Sequence, residues 1–197
     1  MTDSKGFSLA ELLVVLTVIA IAVAVGLPSA AAIRESGRAE AAARLLASRL
    51  SEQRFKSVAT HATRGLQFRQ LSSGWVFREV ADGNGNGLRT AEITRGVDRV
   101  LTPDARLESL VEHVRIGIPP GGPYPEAPPG NQLLRAGDDP VRFGASDLVS
   151  FGPYGTTSSG TLYVTDGRSG LCAVVLFGPS SRLRVWRFLP EERRWTL

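Results

Sequence analysis

The chain is poor in the residues on which disulfides and metal sites most often depend. It has one cysteine, Cys172, in 197 residues, so no intramolecular disulfide can form. The two histidines, His61 and His113, are far apart in the sequence, and neither has a metal ligand at the usual spacing. We expect both histidines to be structural or exposed. We expect Cys172, within the apolar segment 171–177, to be a small buried strand residue.

The sequence patterns of common catalytic sites are also missing. The chain has no glycine-rich phosphate loop followed by Lys and Ser or Thr. Residues Gly144–Leu148 begin like the nucleophile elbow of a hydrolase but lack its closing glycine. We therefore expect no enzymatic activity, no catalytic residue, no cofactor and no resident metal.

What the chain has instead is one long apolar run. Residues 6–27 read GFSLAELLVVLTVIAIAVAVGL and contain one charged residue, Glu11. As a helix at about 1.5 Å per residue, residues 7–27 would be about 30 Å long, which matches the hydrocarbon core of a bilayer. A carboxylate near the centre of a membrane helix costs about 2.5–3.5 kcal/mol and usually has a partner. The run contains no basic side chain, so we expect the positive charge to come from a terminus created by cleavage just before Phe7.

Three other interpretations of the run remain open. A secretory signal peptide would be cut near Ser29-Ala30-Ala31, but its apolar region would be longer than usual and would contain a charge. A plain single-pass anchor would place Glu11 near the membrane interface, where burying the acid costs less. A buried core helix is disfavoured by the length and uniformity of the run.

The motif GFSLAELLVVL, which begins at Gly6, resembles the class III signal of type IV pilins and type II secretion pseudopilins. The resemblance implies that prepilin peptidase cleaves after Gly6 and that Phe7 becomes an N-methylated terminus. It also implies that Glu11 meets the amino terminus of a neighbouring subunit during filament assembly. We expect residues 1–6 to be a cleaved leader and residues 7–27 to cross the inner membrane.

The rest of the chain predicts an α+β protein. Residues 28–60 have apolar side chains at spacings near three and four, which predicts an amphipathic continuation of the helix to about Val58. From residue 61 to residue 197 the apolar period changes to two, which predicts a β-rich domain. The predicted buried stripe of the helix comprises Ile33, Ala41, Leu45, Leu46 and Leu50.

The strand predictions follow from alternation and from turn residues. A hairpin is predicted around the turn Leu71–Gly74. The segment 119–130, PPGGPYPEAPPG, cannot form a helix or a central strand because of its prolines, and we expect an exposed loop. The other predicted strands are Leu110–Ile118, Leu148–Phe151, Thr161–Val164, Leu171–Phe177 and Leu183–Phe188. The last two are expected to form a terminal hairpin.

Two parts of this region are similar to the GspH/FimT family, which contains pseudopilin H and the minor pilin FimT. They are the tryptophan-containing hairpin Leu66–Glu92 and the segment Val149–Gly155, followed by Ser159–Leu162. The resemblance implies a type IV pilin-like fold, in which a long helix, transmembrane in its first half, packs on an antiparallel β-sheet domain in the periplasm. It implies a minor pseudopilin of the type II secretion system, whose partners are other pseudopilins or pilins, prepilin peptidase and the inner membrane.

Residues 82–87, DGNGNG, match the start of an EF-hand loop. The twelfth position of such a loop is Ile93 instead of a bidentate glutamate, and Glu92 comes one place early. Asn-Gly pairs also form tight turns for backbone reasons alone. We expect a turn here, and calcium held by slightly different ligands stays open.

The last predicted strand combines basic and aromatic residues. Strand alternation places Arg182, Arg184 and Trp186 on one face, with Leu183 and Val185 on the other. Two guanidinium groups beside an indole are typical of loose nucleic-acid binding.

The resemblance to FimT gives this strand a second interpretation. In that branch a glycine-arginine-x-arginine motif is associated with DNA capture, which implies Arg182 and Arg184 as DNA-binding residues, with Ser181 in place of the glycine. The alternative function is thus a minor type IV pilin that binds DNA in natural uptake or primes pilus assembly. We favour an amphipathic hairpin whose arginines are solvated or paired with Glu191 and Glu192.

Overall fold

The computed structural model describes residues 9–197, with side chains for residues 9–21 and 37–197. Gly6 and Phe7 lie outside the described residues, as do the side chains of residues 22–36. The chain divides into two compact units, Met1–Glu35 and Ser36–Leu197.

The first element is a long helix, α1 (Leu9–Thr60), which ends two residues beyond the predicted Val58. Every side chain described from Leu9 to Ile21 is exposed, and most of them are apolar. Within the described residues, we find no helical stretch with the length and apolar character that crossing a membrane requires.

Short antiparallel strands dominate the second unit, with one short helix, α2 (Thr90–Arg95), among them. In residues 9–197 the strands are β1 (Arg64–Leu71), β2 (Gly74–Ala81), β3 (Arg99–Val100), β4 (Ala105–Arg106), β5 (Arg115–Ile116), β6 (Tyr124–Pro125), β7 (Leu133–Leu134), β8 (Val141–Arg142), β9 (Leu148–Phe151), β10 (Gly160–Thr165), β11 (Leu171–Phe177), β12 (Arg182–Leu189) and β13 (Arg194–Thr196). The mixed helix and antiparallel-sheet architecture with an N-terminal helix fits a pilin-like fold.

Two sheets and a small hairpin organise these strands. In the first sheet the order is β3-β2-β1-β9, with β4 also paired to β2. In the second sheet the order is β13-β12-β11-β10-β5, with β8 also paired to β10. Strands β6 and β7 pair only with each other among the described strands. The second sheet carries apolar side chains on both faces, since alternate residues of β11 belong to two different clusters, and each apolar face must be buried against another element.

The main core forms where both sheets meet the second half of α1. Leu46 and Leu50 of the helix are fully buried and belong to the same cluster as Phe68 of the first sheet and Val174 of the second. The helix therefore joins the two sheets through one apolar stripe.

The position of that stripe corrects the predicted one. Ala41 is exposed, because the residues that face the sheets recur at three- and four-residue steps that pass over it. Leu45 is half-buried, and the side chain of Ile33 lies outside the described residues. The fully buried residues of this part of α1 are Ala39, Ala42, Ala43, Leu46, Leu50, Gln53 and Ser57.

Most strand predictions are confirmed. The turn at Ser72-Ser73 joins β1 and β2 in register, with Leu71 opposite Gly74. The structure has β9 and β11 with the predicted bounds, and β11 pairs with β12 as the expected hairpin.

The predicted strand Leu110–Ile118 is largely wrong. Only Arg115–Ile116 forms a strand, and residues 107–109 form a 3-10 turn. His113, expected in a strand, is exposed in a turn with a positive φ of 61°. Residues 112–113 form a turn, and Val114 and Ile116 are nevertheless buried. Alternating apolar residues in this segment therefore do not indicate an extended backbone.

The proline-rich segment is only partly the exposed loop that its prolines predict. Its Tyr124–Pro125 pairs with Leu133–Leu134, and Ala127 is 1% exposed. Together with Ile118, Leu134 and Tyr163 it forms an outer core on the far face of the second sheet. Prolines exclude this segment from a central strand, but its apolar side chains cover a sheet face that would otherwise contact water.

Candidate functional site

Glu11, the residue expected to act in subunit assembly, lies in the first turn of α1. Its side chain is exposed, and its helical neighbours Leu12, Leu13 and Val14 are more than half exposed. The helix thus presents a carboxylate within an apolar surface that its own unit leaves uncovered. The processing residues Gly6 and Phe7 lie outside the described residues.

The structure brings Arg182, Arg184 and Trp186 together on the outer face of β12. They lie opposite Phe177, Val175 and Ala173 of β11, respectively. Leu183 and Val185 pack instead against the main core, as strand alternation requires.

Neither Arg182 nor Arg184 forms an ion pair with the acids that the sequence suggested. Both side chains are exposed, and in the part of the chain that the structure describes neither makes a salt bridge or a side-chain hydrogen bond. Glu192 pairs with Arg194 instead. Arg187, on the opposite face of the strand, lies 3.8 Å from Glu40 of α1. Two uncompensated positive charges therefore lie side by side on this face.

Ser181 occupies the turn that leads into these arginines. It has a left-handed backbone with φ 51°, the conformation that glycine adopts most readily. Its hydroxyl lies 2.7 Å from the Thr157 hydroxyl, and its carbonyl oxygen accepts a hydrogen bond from Arg54 at 3.2 Å. The serine that replaces the expected glycine thus keeps a glycine-like backbone and is held by two side chains.

The neighbouring surface forms a cleft of about 500 Å³ that sequence reasoning missed. Pro128 and Pro129 lie on one side, Val175 and Phe177 contribute from β11, and Trp186 contributes from β12. Strand alternation places Val175 and Phe177 of β11 on the same face of the sheet as Arg182 and Arg184, and this part of the cleft can be predicted from the sequence. The position of Pro128 and Pro129 beside these strands cannot be predicted from the sequence, because it depends on a contact between distant segments.

Residues 82–87 form the predicted turn, which is held by carboxylate-to-backbone hydrogen bonds. The Asp82 carboxylate accepts hydrogen bonds from the backbone N–H groups of Asn84 at 3.0 Å, Gly85 at 2.8 Å and Gly87 at 2.7 Å. Burial acts to raise the pKa of Asp82, but these backbone hydrogen bonds outweigh it and leave the pKa below its usual value.

A second layer of polar contacts supports this turn. The side-chain amides of Asn84 and Asn86 each donate a hydrogen bond of 3.1 Å to Glu92. Asp98, which is 1% exposed, accepts hydrogen bonds from the backbone of Gly83 and Arg89. Among the described residues there is no group of three His, Cys, Asp or Glu side chains arranged to hold a metal ion.

Of the other chemically reactive side chains, His61 lies beside the 82–87 turn, where it lines a pocket together with Asp82 and Asn86. Cys172 is buried as predicted, and burial raises its pKa to about 12. His61 is exposed just beyond the end of α1. Ser146, in the segment that begins like a nucleophile elbow, lies on an exposed turn before β9.

The comparisons with known proteins bear on the N-terminal segment. Residues 1–27 match the family described as the prokaryotic N-terminal methylation motif. The motif indicates a type IV pilin-like or pseudopilin subunit. It supports processing by prepilin peptidase, a methylated N-terminus and assembly into filaments. No curated protein and no solved structure shows a significant match to the chain.

Proposed function

We propose that the chain is a minor pseudopilin of the type II secretion system, related to GspH, with a structural role in protein export. The observation that carries the proposal is the methylation motif at residues 1–27, within which the helix exposes its apolar side chains from Leu9 to Ile21. Exposed apolar side chains along a helix need an apolar partner, which a membrane and a filament core both supply.

In this proposal the chain is made as a precursor and processed at the inner membrane. Prepilin peptidase removes residues 1–6, and residues 7–27 hold the subunit in the inner membrane until it enters the filament. The carboxylate of Glu11 then neutralises the methylated amino terminus of a neighbouring subunit. The domain from residue 61 onward faces the periplasm and has no catalytic role.

The experiment is N-terminal sequencing and mass spectrometry of the mature protein purified from its own cells. The proposal expects N-methylated Phe7 as the first residue. A mature chain that begins at Ala32 would indicate an ordinary signal peptide, and an unprocessed N-terminus at Met1 would remove the cation that Glu11 is proposed to meet. Deletion of the gene should cause exported enzymes to accumulate in the periplasm.

A second candidate is a FimT-like minor type IV pilin that binds DNA in natural uptake or primes pilus assembly. The observation that favours it is the exposed, unpaired state of Arg182 and Arg184 beside Trp186 within the described residues. The test is an electrophoretic shift with the full chain in non-ionic detergent at low salt, with Arg182→Ala/Arg184→Ala as the control. No shift with the unaltered protein would eliminate this candidate.

A further inference from the structure

The proline-rich segment covers only part of the outer face of the second sheet. Ala127 and Leu134 are buried against Tyr163 in the outer core. Beyond Pro128 and Pro129 the face is uncovered, and the cleft of about 500 Å³ lies there. A volume of this size is within the range of pockets that bind small molecules, so it holds one large side chain together with part of its flanking chain.

We propose that this cleft binds an extended acidic peptide segment that places one large apolar side chain against the cleft floor. The inference goes beyond the filament role, because it concerns a surface of the second unit and not the apolar segment Leu9–Ile21 on which that role depends. The partner is another polypeptide, defined by an apolar anchor flanked by carboxylates.

The cleft floor and walls supply the apolar part of this recognition. Val175 is 6% exposed and closes the floor, while Phe177 is 51% exposed on the wall. Trp186 and the two prolines complete an aromatic and proline lining. The register puts Phe177 opposite Arg182 and Trp186 opposite Ala173, so the two aromatic side chains lie towards opposite ends of the cleft lining, with Val175 between them. An apolar side chain that enters over Val175 buries area against both ends, and aromatic anchors dominate binding energy at protein interfaces.

The arginines supply the charge preference. Arg182 and Arg184 line the same cleft, and within the described residues neither is neutralised by an acid. A carboxylate that approaches them gains charge-assisted hydrogen bonds without first displacing an internal partner. Acidic residues on either side of the apolar anchor therefore complement the cleft.

The same features favour a peptide over a nucleic acid. The positive charge does not continue along this face of β12, because Trp186 follows Arg184 and Arg187 lies on the opposite face near Glu40. Two further arginines lie nearby outside the cleft lining, but each donates to a backbone carbonyl, Arg54 to Ser181 and Arg193 to Pro123. A nucleic-acid groove requires a series of cations along the phosphate backbone, whereas this cleft has two cations around an apolar floor.

The backbone of β12 beside the arginines offers a further preference for peptide. Strand β13 pairs only with Arg187–Leu189. Among the described residues, Arg182–Trp186 therefore has a strand partner on one edge only. A peptide backbone supplies both donors and acceptors for such an edge, and a phosphate backbone supplies acceptors only.

The test is fluorescence anisotropy with the full-length chain in non-ionic detergent. The probe is the fluorescein-labelled peptide GDEFDEG, compared with GDEADEG and GNQFNQG and with a short labelled thymidine oligonucleotide. We expect the first peptide to bind about tenfold or more tightly than either comparison peptide, and more tightly than the oligonucleotide. Equal binding of GDEFDEG and GDEADEG, or preferential binding of the oligonucleotide, would overturn the proposal.

Variants assign the binding to the cleft. Arg182→Glu/Arg184→Glu and Phe177→Ala should each weaken GDEFDEG binding by about tenfold or more. The matched controls, Arg95→Glu/Arg99→Glu and Phe55→Ala, change exposed residues of the same types and number outside the cleft lining and should leave affinity within about twofold. An equal loss in the controls would place the binding elsewhere. The peptide comparison uses the unaltered protein, so it decides the proposal even if a variant fails to fold.

Discussion

The indole N–H of Trp195 donates a hydrogen bond of 2.9 Å to the carbonyl oxygen of Pro125, 70 residues earlier in the chain. This contact attaches the proline-rich segment to the last strand, and Arg193 adds a second attachment through the Pro123 carbonyl. The indole nitrogen of Trp186 is also a potential donor, but it is buried and has no hydrogen-bond partner among the described residues.

The two tryptophans therefore form a matched pair for a stability experiment. Trp195→Phe removes a satisfied hydrogen bond and leaves the Pro125 carbonyl oxygen without it, whereas Trp186→Phe removes a buried donor that lacks a partner. We expect Trp195→Phe to lower the free energy of unfolding by about 1–3 kcal/mol more than Trp186→Phe does. Urea denaturation of both variants measures the difference. Equal losses would mean that the Trp195 hydrogen bond contributes nothing net.

The buried glutamines allow a similar comparison. Gln53 of α1 is fully buried, and its side-chain oxygen and nitrogen have no partner among the described residues. Gln67 is 4% exposed, but its oxygen accepts a hydrogen bond of 2.9 Å from Arg78. We expect Gln53→Leu to raise the free energy of unfolding by about 1–2 kcal/mol, because it removes a buried amide that has no hydrogen-bond partner among the described residues. We expect Gln67→Leu to lower it, because it removes the hydrogen bond from Arg78. Thermal or urea unfolding checks the signs, and a loss with Gln53→Leu would indicate an unseen polar partner.

The carboxylate that holds the turn at residues 82–87 should make the free energy of unfolding depend on pH in the acid range. The pKa of Asp82 in the folded protein lies below its usual value, so the ionised carboxylate stabilises the folded state. This stabilisation is complete above the ordinary carboxyl pKa of about 3.9, and it is lost as the pH falls through the folded-state pKa. Asp82→Asn should cost about 1–3 kcal/mol near neutral pH and less near pH 3. The free energy of unfolding of both proteins, measured across this range, tests the sign. A difference that does not change with pH would rule out this role for the carboxylate.

Two glycines should respond to alanine in opposite directions. A Cβ at Gly65 in β1 would collide with the carbonyl oxygen of Val149 in β9, whereas a Cβ at Gly37 in α1 has no atom within contact distance. We expect Gly65→Ala to destabilise by about 1–3 kcal/mol or more and Gly37→Ala to stabilise by about 0.5–1 kcal/mol. Chemical denaturation measures both. Tolerance of alanine at Gly65 would mean that β1 and β9 separate without cost.

The proposed assembly role of Glu11 predicts a separation of two properties. Glu11→Ala should leave membrane insertion intact and block incorporation into filaments, because the carboxylate is proposed to neutralise a neighbouring terminus. Glu11→Asp, which keeps the charge, should retain partial incorporation. Membrane fractionation measures insertion, and recovery of subunits in sheared filaments measures assembly. Normal assembly of Glu11→Ala would refute the pairing.

Local patterns predicted the strands whose contacts are local. The alternation around Leu71–Gly74 predicted β1 and β2, and the short continuous apolar run Leu171–Phe177, followed by turn residues, predicted β11. Both signals depend on neighbours close in sequence, since each of these strands pairs with the next strand through a short turn. The same reasoning failed for Leu110–Ile118, where the chain turns at His113. An apolar alternation of that length fits a packed turn as well as a strand, and only the tertiary contacts distinguish them.

Contacts between distant segments were beyond sequence reasoning. The backbone N–H of Ala127 donates to the hydroxyl of Tyr163, 36 residues away, and burial raises the pKa of that tyrosine to about 12. The arginine face was predictable from alternation in β12, but the adjoining cleft depends on where Pro128 and Pro129 come to lie. Prolines specify what a segment cannot form and leave open which surface it covers.

The burial of Cys172 has a practical consequence for studying this protein. Cys172 is 2% exposed and burial raises the pKa of its thiol to about 12, so little thiolate is available to react with maleimides in the native state. A cysteine introduced at an exposed position such as Phe177 can then be labelled selectively without removing the natural one. Cys172 itself becomes reactive only when β11 opens, so its rate of alkylation reports how often the centre of the second sheet unfolds.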